Sequence, residues 1–268
     1  MTHTTKGLIL RTIKYGETSL VVTVFTDRFG VQTYMVNGVR TAKKSGAKAA
    51  MYQPAALLEM EVYHNELKGM QRIKECSWAI LYTNILSSVI QNSIALYMVE
   101  LLYKTLKQPE QHAELFYFCE DALEQLDKAT PSIAANFALY FSLHLTHFFG
   151  FKISNLQSGI TTRPVNTLME KQRPLPQASE LNDTPLFVDL LEGCFTTQQP
   201  AHPNFIAGEN ALITAELLKI MQPHELNQIK LNKEKRWELL LKYQDYYSLH
   251  IADFGQMKTL IVLHEVLR

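Results

Sequence analysis

The sequence predicts an α+β protein in which a small closed β-barrel of five strands precedes a larger, mostly α-helical part. Three observations carry this. Apolar residues alternate with the two-residue period of strands up to about residue 75. From Trp78 onward they recur at helical spacings. The charge changes sign at nearly the same place: residues 1–80 hold 11 Lys+Arg against 6 Asp+Glu, and residues 81–268 hold 15 against 20. A +5 module is thus joined to a −5 one within a chain of zero net charge.

The expected strands are Leu8–Lys14, Leu20–Thr26, Val31–Val36, Ala56–Tyr63 and Met70–Glu75, bounded by Tyr15-Gly16, Phe29-Gly30, Asn37-Gly38 and Lys68-Gly69. Asp27-Arg28-Phe29-Gly30 suits a hairpin, whereas Gly38 to Pro54 is a long connection without a period of its own. Short antiparallel strands with one long loop fit a closed barrel of the OB type, because an open sheet of this size would leave its edges unpaired.

Helical spacing marks Ala79–Leu106, with a break expected at Asn92 or Ser93, then Ala113–Leu126 and Pro131–Phe149. Thr130-Pro131 supplies a cap followed by a proline at the first helical position, and Gly150 supplies a stop. Residues 152–203 hold more than half of the prolines and little periodicity, so they read as an irregular connector. Helices follow at about Asn210–Met221, Lys233–His250 and Gln256–Leu267, with Trp237, Leu240, Leu241, Tyr247 and Ile251 on one apolar stripe. The expected domains are therefore a barrel over 1–77 and a helical domain over 78–268.

No apolar run is long enough to span a bilayer, and the first residues do not read as a signal peptide, so a cytoplasmic protein is expected. Cys76, Cys119 and Cys194 are odd in number and far apart, which suggests neither a disulfide framework nor a thiolate zinc site. No cofactor is expected.

The stretch Gly38–Pro54 contains Arg40, Lys43, Lys44 and Lys48 and no acid. Small residues let such a backbone follow a curved polyanion, and each cation that reaches a phosphate releases a condensed counterion. Arg11, Lys14 and Arg28 extend the patch, with Tyr15, Phe29, Tyr34 and Tyr52 as candidate stacking platforms for unpaired bases. The other reading of these residues is a solvated loop beside core aromatics.

Gly38 followed by Lys43-Lys44-Ser45 nearly spells a phosphate-binding loop, but Lys43 stands where a glycine is needed, and Gly46 and Pro54 leave no room for the helix that should follow. His144 and His147 have metal-compatible spacing without a third ligand, and read as packed or surface histidines. Glu59 and Glu61 share a strand face and read as solvated. Lys230, Lys233, Lys235 and Arg236 form a second basic cluster, which either touches another strand or is a solvated helix start.

Several segments resemble the recombination mediator RecO family in order and spacing. They are Lys6-Gly7-Leu8-Ile9-Leu10-Arg11, Tyr15-Gly16-Glu17, Val22-Thr23-Val24-Phe25-Thr26 with Gly30, Asn37-Gly38-Val39-Arg40 with Lys43-Lys44, and Gln53-Pro54 before Leu57-Leu58-Glu59-Met60-Glu61. Phe148-Phe149-Gly150-Phe151, Phe187-Val188-Asp189-Leu190-Leu191-Glu192-Gly193 and Arg236-Trp237-Glu238-Leu239-Leu240 extend the resemblance, which is closest to the bacteroidete branch.

The resemblance implies a protein that binds single- and double-stranded DNA and anneals complementary strands without hydrolysing ATP. It also implies two partners, RecR and the acidic tail of single-stranded-DNA-binding protein. Lys104, Lys107, Lys152 and Arg163 are the candidate rim cations for that tail. Many members carry four zinc-binding cysteines after the FGF-like segment. Here 151–159 has none and Cys194 stands alone, so no zinc is expected. The competing reading is an OB-fold adaptor that contacts only proteins.

If Lys43 and Lys44 each neutralise one phosphate, the double alanine variant should flatten the log–log salt dependence of oligo-dT affinity by about 1.4, at roughly 0.7 per contact on a single strand. An unchanged slope in the folded variant would place the contacts elsewhere.

Overall fold

The computed structural model describes residues 2–39, 49–154 and 185–267. Five strands, β1 (Thr2–Tyr15), β2 (Ser19–Thr26), β3 (Gly30–Val36), β4 (Leu57–Tyr63) and β5 (Gln71–Ile80), are followed by α1 (Asn84–Ser87), α2 (Val89–Thr105), α3 (Ala113–Lys128) and α4 (Pro131–Leu145). Three short strands come next, β6 (Phe187–Asp189), β7 (Cys194–Thr196) and β8 (Phe205–Ala207), and then α5 (Glu209–Lys219), α6 (Lys233–His250) and α7 (Lys258–Val266). The chain divides into two compact units, Met1–Ala129 with Met257–Val266 and Thr130–Gln256 with Leu267–Arg268. Packing therefore divides at 129/130, well after the change of period near 77/78.

In the first unit the strands close a barrel in the order β1-β2-β3-β5-β4, with β3 and β5 parallel and the other neighbours antiparallel. This is the expected α+β arrangement, an OB-type barrel followed by helices. Alternation sends Val22 and Val24 of β2 and Leu58, Met60 and Val62 of β4 into the core. Each such side chain contributes about 1.5–3 kcal/mol by leaving water. Glu59 and Glu61 lie on the opposite, outer face of β4, where Glu61 pairs with Lys74 at 2.9 Å.

The strand-to-helix transition differs from expectation. β5 continues to Ile80 because Trp78 and Ile80 still pair with Leu58 and Leu57. The helical segment breaks at Ser88, whose hydroxyl accepts from the Gln91 N–H and so starts a new helix; Asn92 and Ser93 lie inside α2. The Asp127 carboxylate accepts from the N–H groups of Thr83, Asn84 and Ile85 at 2.7–3.0 Å, satisfying the first donors of α1. In return, Gln91 Nε2 donates to the carbonyls of Leu126 and Ala129, closing the end of α3.

In the second unit α4 starts at Thr130-Pro131 as expected, and the 3₁₀ turn Thr146–Phe149 stops at Gly150 with φ +78°. Part of the expected connector, 155–184, lies outside the described residues. Within the rest, β6 and β7 are joined by turns, and with β8 just beyond it they form a small sheet of order β7-β6-β8, with Asp189 accepting from the N–H groups of Leu191 and Glu192 and facing His202 at 3.1 Å. His144 is packed against Tyr140, its Nε2 at 3.4 Å from the Leu217 carbonyl, while His147 is exposed. Burial pushes the His144 pKa down to about 4, partly opposed by that carbonyl.

Because the unfolded chain binds the His144 proton at a higher pH than the folded one does, stability should fall as pH drops through the ordinary histidine range. From about pH 7.5 to about pH 5 this one group should cost about 2 kcal/mol. Denaturant titrations should show that loss shrinking in His144→Gln, and an identical pH dependence in the variant would exclude His144 as its source.

Candidate nucleic-acid interface

The outer face of the barrel is built by register. Arg11 lies opposite Thr23, which lies opposite Thr33; Ile13, Val21, Met35 and Arg72 form the next row; Tyr15 and Ser19 form the last. Residues paired this way point to the same side of a sheet. The row thus carries apolar contact area in its middle and a guanidinium at its β5 end. Ile13 is 44% exposed and Tyr15 is 55% exposed, so this part of the face is open to solvent. At the other end Leu8 and Phe25 also point outward but are buried, with Phe116 of α3 meeting Phe25 edge-on at 5.5 Å. Among the described residues, helices thus cover the Leu8–Phe25 end of the face, while Ile13 and Tyr15 at the other end are exposed.

The cations expected at this site are not all brought together. Arg40, Lys43, Lys44 and Lys48 lie outside the described residues. Their flanks are anchored: Val39 and Tyr52 are both buried in the barrel core. Arg11 stands on the open face, its guanidinium donating to the Tyr103 hydroxyl at 2.9 Å and lying over that ring. Lys14 pairs opposite Leu20, which places it in the core-facing phase; it reaches solvent only at the barrel's end and does not share Arg11's face. Arg28 sits in the β2–β3 turn, donating to the Thr4 carbonyl at 2.9 Å.

Two of the four candidate stacking platforms are excluded by burial. Tyr34 is fully buried, and its hydroxyl has no hydrogen-bond partner among the described residues. Tyr52 is 2% exposed and its hydroxyl lies 3.1 Å from the Cys76 sulfur. Burial raises both phenol pKa values well above the usual range. Tyr15 and the half-buried Phe29 remain. Sequence reasoning missed Arg72 and Lys68. Alternation along β5 would have turned Arg72 outward, but its place beside Met35 follows from the parallel β3–β5 pairing, which no local pattern shows.

The second basic cluster is largely committed within its own unit. Arg236 donates to the Leu231 carbonyl at 2.7 Å and to Asn136 Oδ1 at 3.2 Å, and Lys235 lies 3.3 Å from Glu209. Lys230 is exposed. Among the described residues no three His, Cys, Asp or Glu side chains are grouped to hold a metal ion, and no helix is long and apolar enough to cross a membrane. Arg163 lies outside the described residues.

A closed five-stranded barrel with a free strand face edged by cations belongs to the OB class, whose strand faces and adjoining loops bind oligomers. Comparison with known families specifies which one. Recombination protein O N terminal matches residues 1–82, and Recombination protein O C terminal matches residues 86–259. The chain belongs to the RecO family, a family of DNA repair and recombination proteins. It is 30% identical to the DNA repair protein RecO of Christiangramia forsetii and to that of Flavobacterium psychrophilum, over 98% of both chains in each case. It is 27% identical to the corresponding protein of Azobacteroides pseudotrichonymphae over 99% of both chains.

Tyr34→Phe removes a buried hydroxyl that gains nothing from the fold. The variant should be as stable as the parent or more so by about 1 kcal/mol, since an unsatisfied buried group costs roughly that much, and its affinity for oligo-dT should be unchanged. Weakened binding in the variant would return Tyr34 to the interface.

Proposed function

We propose that this chain is a non-enzymatic recombination mediator that binds single- and double-stranded DNA and anneals complementary strands in the cytoplasm. On this reading it also helps exchange single-stranded-DNA-binding protein for recombinase during repair, docking on that protein's acidic tail and on RecR. The observation that carries this reading is the family match over residues 1–82 and 86–259, which takes in both the barrel and most of the helical part.

The chemistry of the barrel supports it. Annealing requires two polyanions to approach while their bases stay accessible. Cations lower the phosphate repulsion, and aromatic and apolar faces hold bases apart from their neighbours. Arg40, Lys43, Lys44 and Lys48 are the proposed principal phosphate contacts, with Arg11 and Arg28 beside them and Lys14 at the barrel's end. The acidic remainder of the chain suits partner docking better than DNA.

The test is annealing of complementary oligonucleotides coated with single-stranded-DNA-binding protein, using the purified full chain with neither nucleotide nor added metal. Annealing should be accelerated, and elemental analysis should find no stoichiometric zinc. Acceleration that appears only with ATP, or no binding to oligo-dT at low salt, would overturn the reading, the latter in favour of a protein-only adaptor.

A further inference from the structure

A cleft of about 530 Å³ crosses the outer edge of β3, lined among others by Arg28, Phe29, Thr33, His64, Lys68 and Gln111. That size falls within the range of small-ligand sites, about 300–1,000 Å³. Its aromatic wall is already assembled: the Phe29 and His64 rings stack at 4.0 Å with 19° between their planes, and the Arg28 guanidinium lies 5.6 Å from the Phe29 centroid. Burial lowers the His64 pKa, which favours a neutral ring. Among the described residues lining it, Arg28 and Lys68 outnumber the one carboxylate, Glu66.

Both walls are held in place. Gln71 is 3% exposed, and its amide makes three hydrogen bonds into the 64–70 loop. Its Oε1 accepts from the Asn65 N–H at 3.0 Å, and its Nε2 donates to the carbonyls of Asn65 at 2.8 Å and Lys68 at 2.7 Å. Opposite, Gly30 has φ +62°, and a Cβ there would lie 2.2 Å from the Glu110 carbonyl oxygen, so that wall approaches as closely as a glycine permits. Gln111 ties it to the Asp27 carbonyl at 3.1 Å. Such preorganisation reduces the ordering cost of binding.

We propose that this cleft is a subsite for an unpaired nucleotide, with the base stacked on the Phe29–His64 pair, its phosphate met by Arg28 and Lys68, and Gln71 acting as the positioning residue. The assignment rests on the reading of the chain as a single-strand binder. A base inside a duplex has no free face to offer an aromatic platform, so the site selects single strands. A second hollow of about 750 Å³ shares His64, Lys68 and Gln71 and leads to Met35 and Arg72. This continuity favours a strand over a free nucleotide.

The test uses the full chain, oligo-dT carrying one 2-aminopurine, and dTMP as competitor. His64→Ala should weaken oligo binding about tenfold and remove the stacking-induced quench, whereas His64→Tyr should restore both. Lys68→Ala should lower the salt slope by about 0.7. Gln71→Leu should weaken binding while leaving that slope in place; if it fails to fold, the two loop variants carry the test. Binding by the parent that falls in the Lys43→Ala/Lys44→Ala variant but is unmoved by His64→Ala and Lys68→Ala would overturn the subsite alone. Absence of oligo binding by the parent would overturn the function it rests on. Displacement by dTMP as effective as by oligo would overturn the strand assignment.

Discussion

The barrel depends on one strand serving two partners. Residues Thr2–Leu8 of β1 pair with β4, and residues Gly7–Tyr15 pair with β2, so the strand must bend where the two ladders overlap. Gly7 sits at that overlap, and a Cβ there would lie 2.4 Å from the Met60 methyl and 2.6 Å from Val24 Cγ1. Just beyond it the register with β2 shifts between Ile9 and Arg11, leaving Leu10 as the extra residue of a bulge. Without that insertion Arg11 would lie opposite Val22 and face the core. With it, Arg11 lies opposite Thr23 and faces outward. The same irregularity that lets the barrel close thus delivers a cation to its open face.

This explains which parts of the molecule were legible in the sequence. β4 alternates cleanly from Leu58 to Val62, so its facing could be read residue by residue, whereas in β2 Val21 and Phe25 are as apolar as Val22 and Val24 and only the pairing assigns them outward. Tyr34 shares the phase of Val36, so alternation along β3 argues for its burial and against its reading as a stacking platform. Lys14 and Arg11 could not be told apart from composition, because a bulge between Ile9 and Arg11 leaves no local signal. The apolar run through Trp78 and Ile80 fits either period, and only pairing with Leu58 and Leu57 decides for strand. The β6–β8 strands are each three residues long, too short to show an alternation at all.

The helices that follow the barrel are part of how it is stabilised. Leu8 and Phe25 point outward from the sheet and would expose two large apolar side chains if helices did not cover this end, Phe116 of α3 lying against Phe25. On α3, Glu120 also takes Lys6 at 2.7 Å. The chain's last helix belongs to the same unit: the Glu100 carboxylate of α2 accepts from the N–H groups of Lys258 and Thr259, and Leu260 and Leu263 are buried. A cut near residue 77 would therefore expose the covered end of the barrel face, even though the residues on either side differ in period and in charge.

The division of the outer face follows from this economy of surface. One sheet face both packs against helices and remains available to a ligand only if the two tasks take different ends of the same strands, as they do along β1 and β2. The covering helix brings carboxylates with it: Glu114 and Asp121 of α3 are exposed. Like charges within about one Debye length, roughly 10 Å at 0.1 M salt, repel a polyanion, and more distant ones are screened. A strand is thus disfavoured beside α3 and favoured along the rows of Arg11 and Arg72, which hold no carboxylate among the described residues. Zero net charge is no obstacle to binding a polyanion when the charges are segregated on this scale, because the ligand responds to the local face and not to the sum over the chain.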